Sequence, residues 1–129
     1  MSKNLTLALG GIFVALGILG FIPPLAPDGN LFGLLGVNPV HNLIHLASGA
    51  AALYVARAGG PKAIKMYGQV FGVLYALITI IGFLGALDDL LNLNLADNIL
   101  HLILTAGLLY IGFVDDPEAP PAASAPPVV

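Results

Sequence analysis

Asn38-Pro-Val-His-Asn-Leu-Ile-His45 returns later in the chain as Asn94-Leu-Ala-Asp-Asn-Ile-Leu-His101. Each copy opens a long apolar segment. Each sets its few polar residues three or four positions apart, the spacing that places side chains on one face of an α-helix. An Asn followed by Pro at the first helical position is a helix-start signal, and so is an Asn with Asp three residues on. Shifted by 56 residues, the two segments align without a gap: Asn38 on Asn94, Asn42 on Asn98, His45 on His101, Leu53 on Leu109 and Tyr54 on Tyr110, with His41 on Asp97. A weaker match of Gly20-Phe21 with Gly82-Phe83 links the segments that precede them. The pattern reads as an internal duplication.

Composition fixes the solvent. The 129 residues are 58% hydrophobic and 9% charged, with mean hydropathy +0.97, whereas an average soluble domain is about a quarter charged. A soluble chain this short has too little interior to hide so much apolar surface, so lipid is the expected partner. Residues 5–23, 38–57, 62–87 and 94–114 are each long enough to span, since a helix of about 20 residues crosses a bilayer. The expected fold is all-α: an integral membrane four-helix bundle made of two tandem helical hairpins, related by a pseudo-twofold axis along the membrane normal. Residues 1–114 form that one domain, and the Pro/Ala-rich stretch 115–129 is expected to be a disordered cytoplasmic tail.

The first span is read as retained rather than as a signal peptide. Its apolar run is long, Pro24-Leu25-Ala26 is a poor cleavage site, and the repeat needs it. Leu31 to Val37 is too short to span and is expected at the interface or folded back on the bundle. Lys3, Arg57, Lys62 and Lys65 lie at the N-terminus or between the second and third spans, while the outer loops hold Asp28, Asp88 and Asp89. The positive-inside rule then predicts a multi-pass protein of the cell membrane with cytoplasmic N- and C-termini.

Asn38, His41, Asn42 and His45 share one stripe of the second span, which continues through the small residues Ser48, Gly49, Ala52 and Ala56. The fourth span repeats it with Asn94, Asp97, Asn98 and His101. Polar groups facing lipid cost several kcal/mol each, so the stripe should point inward. Its small residues predict close contact between spans two and four. His45 and His101 should lie roughly 10 Å in from the outer helix ends at 1.5 Å per residue.

Several readings follow. Asn38 and Asn94 are helix caps, and Asp97 suits a helix N-terminus. Asn42, Asn98, His45 and His101 could fix helix register by hydrogen bonding. A transition metal could instead sit among His41, His45, His101 and Asp97, as metals do in bundle cores. A haem between His45 and His101 is hampered by the close helix contact. A proton or solute path lacks an ionisable group in the lower half of the stripe. With no cysteine, thiolate chemistry is excluded. Ser48 follows His45 by one turn without a Gly-x-Ser-x-Gly setting, and four unclustered basic residues exclude nucleic acid. Asp88-Asp89 read as solvated acids. No catalytic residue is assigned and no cofactor is required. The leading reading is a non-enzymatic membrane protein with a structural or interaction role. The alternative is a metal- or cofactor-binding or transport-related protein using the His pair. Gly10, Gly17, Gly68 and Gly72 offer faces for a homo-oligomer or a membrane protein partner, and the tail offers one for a soluble partner.

Gly20-Phe-Ile22, Leu31-Phe-Gly-Leu-Leu-Gly-Val-Asn38 and His41-Asn-Leu-Ile-His-Leu-Ala-Ser-Gly-Ala-Ala-Ala-Leu-Tyr54 resemble a family of small bacterial four-span membrane proteins, a domain of unknown function. The likeness rests on the Leu-Phe-Gly loop followed by His-Asn-x-x-His-Leu and covers residues 5–114. It implies four helices in the inner membrane and supplies no activity, substrate or site residue.

Overall fold

The segments led by Asn38 and Asn94 both start helices where their asparagines predict. In the computed structural model, which describes residues 1–115, Asn38 Oδ1 accepts from the His41 backbone N–H at 2.9 Å. Asn94 Oδ1 accepts from Asp97 N–H at 3.1 Å while Asp97 Oδ2 accepts from Asn94 N–H at 3.0 Å, a reciprocal capping box. The helices are α1 (Ser2–Leu19), α2 (Pro39–Tyr54), α3 (Gly60–Phe83), the single turn α4 (Asp88–Leu91) and α5 (Leu95–Leu109). Helices α2 and α5 each run on into one wider π turn, Val55–Gly59 and Tyr110–Val114. Apart from short 3-10 turns and a two-residue antiparallel ladder of β1 (Asn30–Leu31) with β2 (Leu35–Gly36), the described residues are all-α. Of the tail expected at 115–129, Asp115 is hydrogen-bonded to Ser2 and the remainder lies outside the described residues.

Two boundaries differ from the sequence reading. Helix α1 begins at Ser2 and ends at Leu19, ahead of the prolines at 23 and 24. Helix α3 stops at Phe83 rather than reaching 87, because Gly85 adopts φ +75°, the left-handed conformation that closes helices.

Three helical stretches are long and apolar enough to cross a membrane: Ser2–Leu19, Pro39–Phe83 and Leu95–Val114. The middle one is broken at Gly60, whose φ of 72° with ψ of −178° is open to glycine alone in practice. Its two arms fold against each other. The Tyr67 hydroxyl donates to Ser48 carbonyl oxygen at 3.0 Å, and the Tyr75 hydroxyl shares a 3.0 Å hydrogen bond with Ser48 Oγ.

Packing departs from expectation in one respect. Helix α2 lies along α1, and α5 along α3. The small residues on the α2 stripe therefore serve α1, not α5. A Cβ on Gly49 would lie 2.8 Å from the Gly10 carbonyl oxygen, and one on Gly68 would lie 2.5 Å from Gly112 N. Small side chains admit the nearest backbone, and within a hairpin that is the preceding helix. For the same reason the faces read as available for self-association are covered by the chain itself: Gly10 by Ala52 and Leu53, Gly17 by Leu46, Gly68 by Gly112 and Gly72 by Leu109.

Phe13, Tyr75, Leu104, Leu108 and Ile111 are wholly enclosed at the centre. The outside carries Ile12, Val70, Val73, Leu77, Ile80, Leu102 and Ile103, all exposed. An apolar exterior of this kind suits a lipid surrounding.

Leu31 to Val37 folds back on the bundle, with Leu31 fully buried. Gly36 N–H donates to Asp97 Oδ2 at 2.8 Å. The two capping asparagines also reach across: Asn38 Nδ2 donates to Leu90 carbonyl oxygen and Asn94 Nδ2 to Leu34 carbonyl oxygen, each at 2.9 Å. Asn92 donates to the Gly29 and Val37 carbonyls at 2.9 and 3.3 Å.

Candidate functional site

Because α2 rests on α1 and α5 on α3, the space between α2 and α5 is bridged by side chains. His41 and His45 enter it from α2, one helical turn apart, and His101 enters from α5. All three are buried, with exposures of 2%, 4% and 2%. Their ring centroids stand 4.5 Å apart for His41–His45, 5.5 Å for His41–His101 and 5.9 Å for His45–His101, each pair meeting edge to face. One nitrogen from each ring lies within 4.8 Å of the other two.

The walls are apolar. Phe13 packs 5.6 Å from His45 and 5.0 Å from Tyr75, and Tyr75 lies 5.8 Å from His101. Ile44, Ile78 and Leu91 complete the lining of a void of about 10 Å³. That is about the size that holds one water or one ion.

Among the described residues, both ring nitrogens of His41, both of His45 and Nδ1 of His101 are buried without a hydrogen-bond partner. A buried unpaired polar group costs about 1–3 kcal/mol, so five such nitrogens in one cluster are a large local penalty. An ion ligated by three imidazoles removes much of it at once. Metal–nitrogen bonds of about 2.0–2.1 Å put ligand atoms about 3.3–3.6 Å apart. Ring rotations moving each donor by about an ångström close that geometry from the separations seen. A macrocycle does not fit: organic ligands occupy roughly 300–1,000 Å³, and the space between His45 and His101 is about 10 Å³. The haem alternative is set aside on that ground.

The other residues singled out in the sequence have separate places. Asp97 is buried but stands apart from the histidine cluster, its Oδ2 taken by the Gly36 and Asn94 N–H groups. Asn38 and Asn94 are caps and cross-ties. Asn42 and Asn98 are buried, each with Oδ1 unpartnered among the described residues. Asn42 packs its amide on Gly20 and Asn98 packs on Gly82, where in each case a Cβ would overlap the amide oxygen. Ser48 Oγ shares its hydrogen bond with the Tyr75 hydroxyl.

Sequence reasoning passed over Tyr75, which walls the cluster, and Thr79, whose hydroxyl donates to Tyr75 carbonyl oxygen at 2.7 Å and shares a 3.2 Å bond with Thr105. The available signal was Tyr67, Gly68, Gly72, Tyr75, Thr79 and Gly82, a helical stripe of polar and small residues on an apolar span.

A family model described as a domain of unknown function (DUF4383) matches residues 3–114. No curated protein matches the chain. No solved structure matches it.

Proposed function

Because the chain belongs to the DUF4383 family, whose description assigns no activity, we propose its function from the site: a small multi-pass membrane protein that binds one transition-metal ion between α2 and α5 through His41, His45 and His101. The observation that carries this is the convergence of three buried imidazoles on one atom-sized space with five of their ring nitrogens unpartnered. The rival, a purely structural role, needs those rings to pin helices by hydrogen bonds, and His45 makes none among the described residues. A single trapped water is the remaining structural option.

The test is elemental analysis of the detergent-purified protein after exposure to zinc, copper, nickel and cobalt and removal of excess ion. One ion per chain is expected, lost on combined His45→Ala and His101→Ala. Wild-type protein that stays metal-free after every exposure refutes the proposal.

The topology proposed for this function is four spans with both termini in the cytoplasm of a bacterial inner membrane. Lys3 and Arg57 sit with Gly60 and Pro61 around one pocket at one end of the bundle, which supports that orientation. Cysteine placed at Lys62 should then react only with reagents that cross the membrane, and cysteine at Asp28 with impermeant ones.

The duplication is proposed with it. The Asn38-to-Leu90 and Asn94-to-Leu34 hydrogen bonds are one bond repeated at the 56-residue offset, and the Asn42–Gly20 and Asn98–Gly82 contacts are likewise paired. On this reading His45 and His101 face each other as equivalents. His41 is the departure from symmetry that supplies a third ligand.

A further inference from the structure

This inference rests on the metal reading of His41, His45 and His101 and names the ion. We propose that the site takes monovalent copper, Cu(I), in preference to the divalent ions of the same row.

The argument is one of charge. Imidazoles bind metals as neutral donors, and the chain has no cysteine to contribute a thiolate. Among the described residues Asp97 is the only buried acid. It stands one turn from His101 on α5, and its Oδ2 is held by the Gly36 and Asn94 N–H groups at 2.8 and 3.0 Å. It is therefore engaged away from the cluster, and the three neutral imidazoles bring no negative charge to an ion. The idealised cost of moving an ion out of water grows with the square of its charge, so a divalent ion meets about four times the penalty of a monovalent one.

Coordination points the same way. Divalent ions complete four or more positions with water or an anion, and a void of about 10 Å³ between apolar walls has room for one small occupant. Cuprous copper accepts three nitrogen donors with no further ligand, whereas imidazole by itself serves zinc, copper, iron and nickel alike. Alkali ions prefer oxygen donors, which the cluster does not offer.

The test uses the full chain in detergent micelles under anaerobic conditions. Cu(I), supplied as its acetonitrile complex, is titrated against a chromogenic Cu(I) chelator, and Zn(II) is titrated in parallel. One Cu(I) per chain is expected, displacing bound Zn(II) and not displaced by it, with three nitrogen neighbours by X-ray absorption. Zn(II) displacing Cu(I) overturns the inference and leaves the metal site standing. Failure of both ions to bind brings down the site as well.

Discussion

Replacing His45 with leucine should leave the metal-free protein as stable as wild type or more so. Both ring nitrogens of His45 are buried and unpartnered among the described residues, at about 1–3 kcal/mol each. A leucine of similar volume removes about 2–6 kcal/mol of that penalty. Against it stand the edge contacts with Phe13, His41 and His101 at 5.6, 4.5 and 5.9 Å, together worth about 1 kcal/mol. A change of side-chain shape adds about 1 kcal/mol more. The balance is a variant about 0–4 kcal/mol more stable than wild type when chelator is present. Metal at a hundredfold excess over its dissociation constant stabilises the wild type by about 2.7 kcal/mol and the variant not at all, so the gap closes or reverses. Unfolding in detergent, followed by circular dichroism with chelator and with metal, measures both terms. A metal-free His45→Leu protein destabilised by more than about 2 kcal/mol would mean that the imidazole is a satisfied structural element, and the reasoning fails.

Other outcomes follow from particular contacts. Gly20→Ala and Gly82→Ala each drive a methyl into an asparagine amide and should lower stability by about 1–3 kcal/mol. Gly11→Ala, with nothing near its Cβ, should stay within about 0.5 kcal/mol of wild type in the same melts. Gly36→Ala sets its methyl into the Asn92 carbonyl, a backbone atom that cannot swing aside. A loss of about 3 kcal/mol or more is expected there, read as a drop in melting temperature. At the basic end, the Ser2 hydroxyl donates to Asp115 Oδ2, as does Ser2 N–H at 2.6 Å, and that hydrogen bonding holds the Asp115 carboxyl below its usual range. A depressed folded-state pKa contributes stability above the unfolded carboxyl value and loses it as pH falls through the folded one. Ser2→Ala should therefore lower the melting temperature at neutral pH and leave it nearly unchanged at pH values where Asp115 is protonated, so that the acid limb of the profile flattens.

What could be read from the chain was what depends on near neighbours in it. The starts of α2 and α5 are set by Asn38 and Asn94 acting on N–H groups three residues away, and the grouping of His41 with His45 follows from one helical turn. Partners distant in sequence were less legible. Asp97 looked like a metal ligand because its spacing to His101 suits one, but its carboxylate is claimed by Gly36, 61 residues earlier. The small residues of α2 announced a close helix contact without saying with which helix, and the preceding helix of the hairpin took it. Tyr75 lay on the stripe of polar and small residues along α3, but that stripe holds no histidine or acid and so drew no attention beside the stripes of α2 and α5.

The capping asparagines carry a consequence for assembly. Each fixes the start of its own helix with one amide atom and grips the opposite hairpin's connection with the other. Neither half then completes its outer rim alone. Severed between Gly59 and Gly60 and co-expressed as two fragments, the polypeptide should reconstitute in the membrane as a mated pair, whereas either fragment by itself should be degraded. Exchange of both asparagines for alanine should abolish the mating while the intact chain still inserts.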